Sequence, residues 1–261
     1  MQGMLETFLS TGILAFLLTF SRVGTAMMIM PGLGDSFVSE RIRLHLSLGF
    51  TLVLFPVTQP YMPNPVPPLY SLVALIGMEM IIGLMIGTVA RIFMTALDTA
   101  GMVVSSQSGL ANAQVFNPTL ATQGSVMGAF LSVTGVVILF STNMHHLLIM
   151  GVVESYQQFP VGQLLDTGSM AELIAKAVTA SFEIGVKIAA PFIVLTLLVY
   201  VGMGVLARLM PQIQVFMVAL PLQILLSIML LSIVLPVLFL SWLTDFKSAM
   251  FYFFSNAVGT Y

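Results

Sequence analysis

Apolar positions fall in six long runs. The first is roughly Phe8 to Met30, interrupted by Arg22, and the second is Leu44 to Val57. The third spans Leu69 to Ala90 with Glu79 inside it, and continues past Arg91 towards Val104. The fourth is Val126 to Val153. The fifth is Leu173 to Leu206, with Lys176, Glu183 and Lys187 inside it. The sixth, Leu209 to Thr244, holds no charge. Crossing a bilayer takes about 20 apolar residues as a helix, a length that runs one, three, four and six reach and run two does not. The sixth run exceeds what one helix needs and contains Pro211, Pro221 and Pro236. One long kinked helix and two shorter ones both fit it. Backbone polar groups in lipid must be satisfied within the segment, so runs of this kind predict helices. The expected fold class is all-α: a hydrophobic multi-helix protein with kinked helices and helical hairpins.

Three breaks punctuate the pattern. Gln59 to Pro68 holds five of the thirteen prolines and reads as an extended connector. Phe159 to Ser169 is turn-rich. Ser105 to Ser125 is long, polar and uncharged, and lies between two apolar runs. Non-helical polar backbone at membrane depth is tolerated only when buried in protein or lining a wet cavity. That segment is therefore either a connector outside the bilayer or a loop folded into a pore.

Composition sharpens this picture. Of 261 residues, 58% are hydrophobic and 7% charged, with a mean hydropathy of +1.06. A soluble domain carries about 25% charged residues, so there is too little polar surface here to coat a folded sphere in water. The net charge of -2 leaves no basic patch for nucleic acid. With no cysteine, disulfides, thiolate chemistry and cysteine zinc sites are ruled out. The 20 methionines read chiefly as adaptable core and lipid-facing filler. Glu6 and the lack of a basic stretch before the first run argue against a cleaved signal peptide, so that run is expected to be retained. Loop charges hardly bias the topology, because Arg41 and Arg43 share a loop with Asp35 and Glu40.

Charges within or beside apolar runs are the first candidates for chemistry: Arg22, Glu79, Arg91, Asp98, Lys176, Glu183, Lys187 and Arg208. Such charges need a partner or water. Glu183 and Lys187 are four apart and share a helix face. No acidic pair converges as a proton relay would require, which favours structural pairing over an ion pathway. Adjacent His145 and His146 point about 100° apart on a helix and do not make a metal site. Ser108-Gly109 raises the thought of a serine nucleophile, but such dipeptides are ordinary turn signals. Gly83-xxx-Gly87 and Gly124-xxx-Gly128 have the spacing of close helix packing. No catalytic residue, metal site or cofactor is expected.

Four segments resemble the FliR family of flagellar biosynthetic proteins, called SctT or SpaR in injectisomes. They are Ser21-Arg22 with Met30-Pro31 and Glu40 to Leu44; Thr99 to Gly101 with Ser108 to Ala111 and Phe116-Asn117-Pro118; Phe159 to Gly162; and Ala207 to Phe216 with Pro221. The likeness runs over nearly the whole chain. It implies a non-enzymatic subunit of the type III export gate in the bacterial inner (plasma) membrane, within the flagellar basal body. The implied partners are FliP-like and FliQ-like gate subunits, an FlhB-like switch protein and exported unfolded polypeptides. It also implies a FliP-like part over 1–165 and a FliQ-like hairpin part over 166–261.

Under the same resemblance, Gly109, Leu110, Ala111, Asn112, Ala113, Gln114, Val115, Phe116, Asn117 and Pro118 form a loop that plugs the closed pore. Phe116 would seal sterically, and Met102 and Met127 would add to a deformable gasket. Arg22, Arg208, Pro211, Gln212 and Gln214 fall at subunit contacts. The family often has Asp where this chain has Asn117. The rival reading is a secondary transporter or channel of the inner membrane, which would show inverted repeats and broken helices around a midplane site.

Overall fold

The structure is a computed structural model, and it describes residues 2–63, 68–111, 125–163, 167–210 and 215–256. All regular structure among the described residues is helical: α1 (Gln2–Ile29), α2 (Glu40–Thr58), a short 3-10 turn (Gln59–Tyr61), α3 (Leu69–Gln107), α4 (Val126–Ser141), α5 (Met144–Gln158), α6 (Thr167–Leu209) and α7 (Val215–Asn256). Among the described residues, five helices are long and apolar enough to cross a membrane.

Several elements differ in extent from the apolar runs. The third run continues through Arg91 as one helix of 39 residues. The sixth resolves as a single helix of 42 residues through Pro221 and Pro236. A proline removes one backbone hydrogen bond, and long apolar helices tolerate it where neighbours re-satisfy the freed groups. The fourth run is broken at Thr142-Asn143, where Asn143 adopts a left-handed conformation (φ 59, ψ 19) and starts α5. Asparagine is among the few side chains that accept this region. The short second run is extended to 19 residues by the polar start Glu40–Arg43, and the 3-10 turn adds a further three.

Packing divides the chain into two compact units. One comprises Met1–Ile92, Phe140–Val178 and Lys247–Tyr261, the other Phe93–Leu139 and Thr179–Phe246. In the first, α1 buries Leu14, Ala15, Leu18, Val23, Ala26 and Met27. The Thr19 and Thr58 hydroxyls bond at 2.8 Å, tying α1 to the end of α2. Close approach of α3 to α1 depends on Gly83. A Cβ there would run into the Arg22 carbonyl and the Thr25 side chain.

The second unit is built around Val104 of α3, Ala189 and Phe192 of α6, and Leu231 of α7, all buried together. Gly185 lets α6 lie close to Ala96 and Thr99 of α3. The Trp242 indole is buried and donates to the Phe93 carbonyl.

Candidate functional site

The segment singled out by its polar, uncharged character leaves α3 at Ser108 and returns at Ser125. Gly109, Leu110 and Ala111 are turn residues directly after α3. Asn112, Ala113, Gln114, Val115, Phe116, Asn117 and Pro118 lie outside the described residues. Both feet of the segment are in the second unit, and both are specified in detail.

At the outgoing foot the last four carbonyls of α3 all find donors. A helix end leaves these four without intrahelical partners. The Ser108 N–H reaches Val104 O at 2.8 Å, Ala111 N–H reaches Ser105 O at 3.1 Å, and Gly109 N–H reaches Ser106 O at 3.3 Å. Gly109 has φ 78, the left-handed C-cap geometry that glycine adopts without steric cost. The fourth carbonyl, on Gln107, is taken by side chains from elsewhere in the unit. Thr196 Oγ1 of α6 donates to it at 2.9 Å, and Gln223 Nε2 of α7 also donates to it. Both side chains are buried.

At the returning foot the Ser125 hydroxyl has two roles. It accepts from the Gly128 N–H at 3.1 Å, capping α4, and donates to the Gly101 carbonyl of α3 at 3.1 Å. Here α3 and α4 touch backbone to backbone: a Cβ on Gly101 would overlap Gly128. Gly128 thus has the packing role its spacing suggested, while Gly124 lies outside the described residues. Met127 packs on the core beside this foot, and Met102 is exposed on α3.

A second constellation sits in the first unit. Arg22 is 0% exposed, and Glu79 1%. The guanidinium is held in a fork: Nε to Glu79 Oε2 at 2.6 Å and Nη2 to Glu79 Oε1 at 2.9 Å. Nη1 donates to Ser155 Oγ at 3.2 Å and Nη2 to the Phe159 carbonyl at 2.8 Å. The same guanidinium lies 3.9 Å from the ring centre of buried Tyr156. This one residue ties α1, α3, α5 and the Phe159 turn together. The resemblance implies that Arg22 lies at a contact with neighbouring subunits; its side chain here is held by residues of its own chain. Its partner Glu79 is 57 residues away, so their contact shows only once α1 and α3 pack at Gly83.

Other charges pair nearer the surface. Arg91 bridges Asp35 at 3.0 Å and donates to the Ile29 carbonyl at the end of α1. The expected Glu183–Lys187 pair forms on one helix face at 2.9 Å, as does Glu172–Lys176. Asp98, seven residues after Arg91, is exposed. Arg208 is exposed in the last turn of α6, and Pro211, Gln212 and Gln214 lie outside the described residues. Among the described residues no cluster of histidines and carboxylates could hold a metal ion. His145 stacks on Phe140 instead, and His146 packs tilted against His145.

Thr196 and Gln223 were not legible as site residues beforehand, although Gln223 is the one amide between Val215 and Thr244. An amide in so apolar a run signals a buried hydrogen bond, without naming its partner. Ser125 directly before the apolar run that starts at Val126 is an ordinary N-cap signal.

The model for "Bacterial export proteins, family 1" matches residues 13–249. The chain belongs to this family. Its relatives include the flagellar biosynthetic protein FliR of Caulobacter vibrioides, 38% identical over 237 residues, covering 89% of this chain and 93% of that protein. FliR of Bacillus subtilis is 30% identical over 86% of this chain and 87% of its own length. Yop proteins translocation protein T of Yersinia pestis is 28% identical over 88% of this chain and 89% of that protein. With its apolar helices, family membership makes the chain a membrane-embedded component of the flagellar and type III protein export apparatus. Its membership points to a structural export component rather than to an enzyme.

Proposed function

We propose that the chain is a non-enzymatic subunit of the type III export gate in the bacterial inner membrane. It forms the export pore with FliP-like and FliQ-like partners, and the 109–118 segment occludes that pore until substrate engages. The exposed end of α6 at Arg208, with the following Pro211, Gln212 and Gln214, meets a neighbouring gate subunit or an FlhB-like switch protein. The 1–165 part is FliP-like and the 166–261 part FliQ-like on this reading.

One observation carries the dependence on partners. Helices α6 and α7 have 43 and 42 residues, each about 60 Å long at 1.5 Å per residue. Hydrocarbon covers about 30 Å. Within α6 and α7, one 18-residue apolar window is only 28% and 17% buried within the chain, respectively. The uncharged 215–244 stretch of α7 is about 45 Å long at 1.5 Å per residue, longer than the hydrocarbon, which supports cover by other protein along that helix. The polar, charge-free composition of the 105–125 segment supports the plug: it is wettable, and it offers no fixed charge to retain a passing polypeptide.

Two measurements test the reading. Native mass spectrometry of the chain co-expressed with FliP-like and FliQ-like partners should give a stable hetero-oligomer containing one copy of it. A monomer or homodimer indifferent to those partners would overturn the gate assignment and favour a transporter. Deleting 110–120 should make the reconstituted complex leak ions. A deleted complex that holds its gradient as well as the intact one would remove the plug.

A further inference from the structure

We propose that Thr196 and Gln223 are positioning residues that hold the carbonyl end of α3, and with it the start of the 108–124 segment, against α6 and α7. The capping at this helix end supports it. Three of the four terminal carbonyls of α3 take backbone N–H groups from the turn that follows: Ser108 on Val104, Ala111 on Ser105, and Gly109 on Ser106. The Gln107 carbonyl instead takes Thr196 Oγ1 at 2.9 Å and Gln223 Nε2, from two different helices. Both donors are about 3% exposed. A buried donor that loses this carbonyl is left unsatisfied, so the pair is held more firmly than a surface one. Val104, one turn earlier, is clasped by Ala189 and Phe192 of α6 and Leu231 of α7. Polar and apolar contacts therefore fix the same end of α3 to the same two helices.

The geometry makes α6 and α7 the handle on the segment. A shift of either helix relative to α3 withdraws a donor from Gln107 O and frees the helix end from which the segment departs. The functional consequence rests on the reading that 109–118 occludes the pore. The positioning role itself does not.

The test exploits the absence of cysteine from the chain. A nitroxide is attached through Leu110→Cys, with Val137→Cys on exposed α4 as a control, in the full chain assembled with its partners. Thr196→Val keeps the shape of the side chain and Gln223→Met keeps its length. The double variant should broaden the motion of the label at 110 and leave that at 137 unchanged. Each single variant should do less, since one donor remains, and Thr196→Ser should resemble wild type. The singles also keep the test readable if the double variant does not assemble. A label at 110 as immobile as in wild type would overturn the proposal, and so would equal loosening at 137.

Ion leak read on the same complexes separates the two ideas. If the 110–120 deletion leaks, the double variant should leak about tenfold above wild type, the scale of one lost hydrogen bond at a partly buried carbonyl. A tight double variant beside a leaking deletion would overturn the handle. A deletion that does not leak overturns the plug instead, and the label alone then decides the positioning role.

Discussion

Replacing Glu79 with Leu should be among the most damaging single changes available in this chain, and a second substitution should repair most of it. Arg22 keeps its charge in a site where it is 0% exposed. Without Glu79, the guanidinium retains only Ser155, the Phe159 carbonyl and the Tyr156 face. Removing one partner of a buried ion pair costs about 3–5 kcal/mol, because the other charge is left without compensation. The double variant Arg22→Met with Glu79→Leu removes both charges and fills the site with apolar groups of similar length. Replacement of a whole buried pair is often near neutral. Here it also orphans the Phe159 carbonyl, at a cost of about 1–3 kcal/mol.

One kcal/mol shifts the melting temperature by roughly 2–4 °C in a protein approaching this size. Glu79→Leu should therefore melt on the order of 10 °C below wild type, and the double variant roughly half as far below. The assay is the fraction of purified chain remaining monodisperse in mild detergent after a heating series, for wild type, both singles and the double. The sign of the coupling is what matters. A double variant whose loss equals the sum of the two single losses would show that the two charges are not energetically coupled and would refute the account of Arg22 as the internal tie of this unit.

Other expectations follow from the same geometry. Gly101→Val should destabilise by about 1–3 kcal/mol, because its side chain would overlap the backbone of Gly128 and neither helix can give way cheaply; melting in detergent reads it. Asn143→Val should cost about 1–2 kcal/mol by placing a β-branched residue at φ 59, whereas Asn143→Gly should be neutral or better in the same assay. Thr58→Val should lose about 0.6 kcal/mol, the typical worth of an interhelical hydrogen bond in a membrane protein. Lys187→Ala breaks an exposed pair and should leave melting unchanged, while Arg208→Ala should leave the free chain intact and weaken co-purification of a FliQ-like partner.

Helix identity was the legible part of the fold, and helix pairing was not. Long apolar runs read correctly as helices because lipid and a protein core both forbid unsatisfied backbone. Their ends were harder. Asn143 interrupts an apolar run with one left-handed residue, and periodicity carries no mark of a single backbone angle. Pro221 and Pro236 look like breaks, yet α7 runs through them, since the cost of a proline depends on what re-satisfies the freed carbonyl. Gly83 and Gly87 announced a close approach, and the helix they approach is α1, a choice that local spacing does not encode. The same holds for chemistry. The i, i+4 pair Glu183–Lys187 was readable because both partners lie on one helix. Arg22 with Glu79, and Gln107 with Thr196 and Gln223, join residues 57 to 116 positions apart.

The distribution of polar groups separates what this chain can complete alone from what it leaves to others. Its most buried charge is held by four hydrogen bonds in one unit, and the carbonyl end of α3 is capped by its own helices in the other. Left uncovered is apolar surface: Leu197, Leu198 and Val201 on α6, and Ile233, Val237 and Leu240 on α7, are each more than half exposed. A polar group left without a partner in a dry site would destabilise the lone chain at once, so those groups are satisfied locally. Apolar faces carry no such urgency inside a bilayer, where lipid is an acceptable neighbour. A chain built this way can fold in the membrane before its partners arrive. On the export-gate reading, protein then replaces lipid along α6 and α7, driven by packing and shape rather than by rescue of a buried charge.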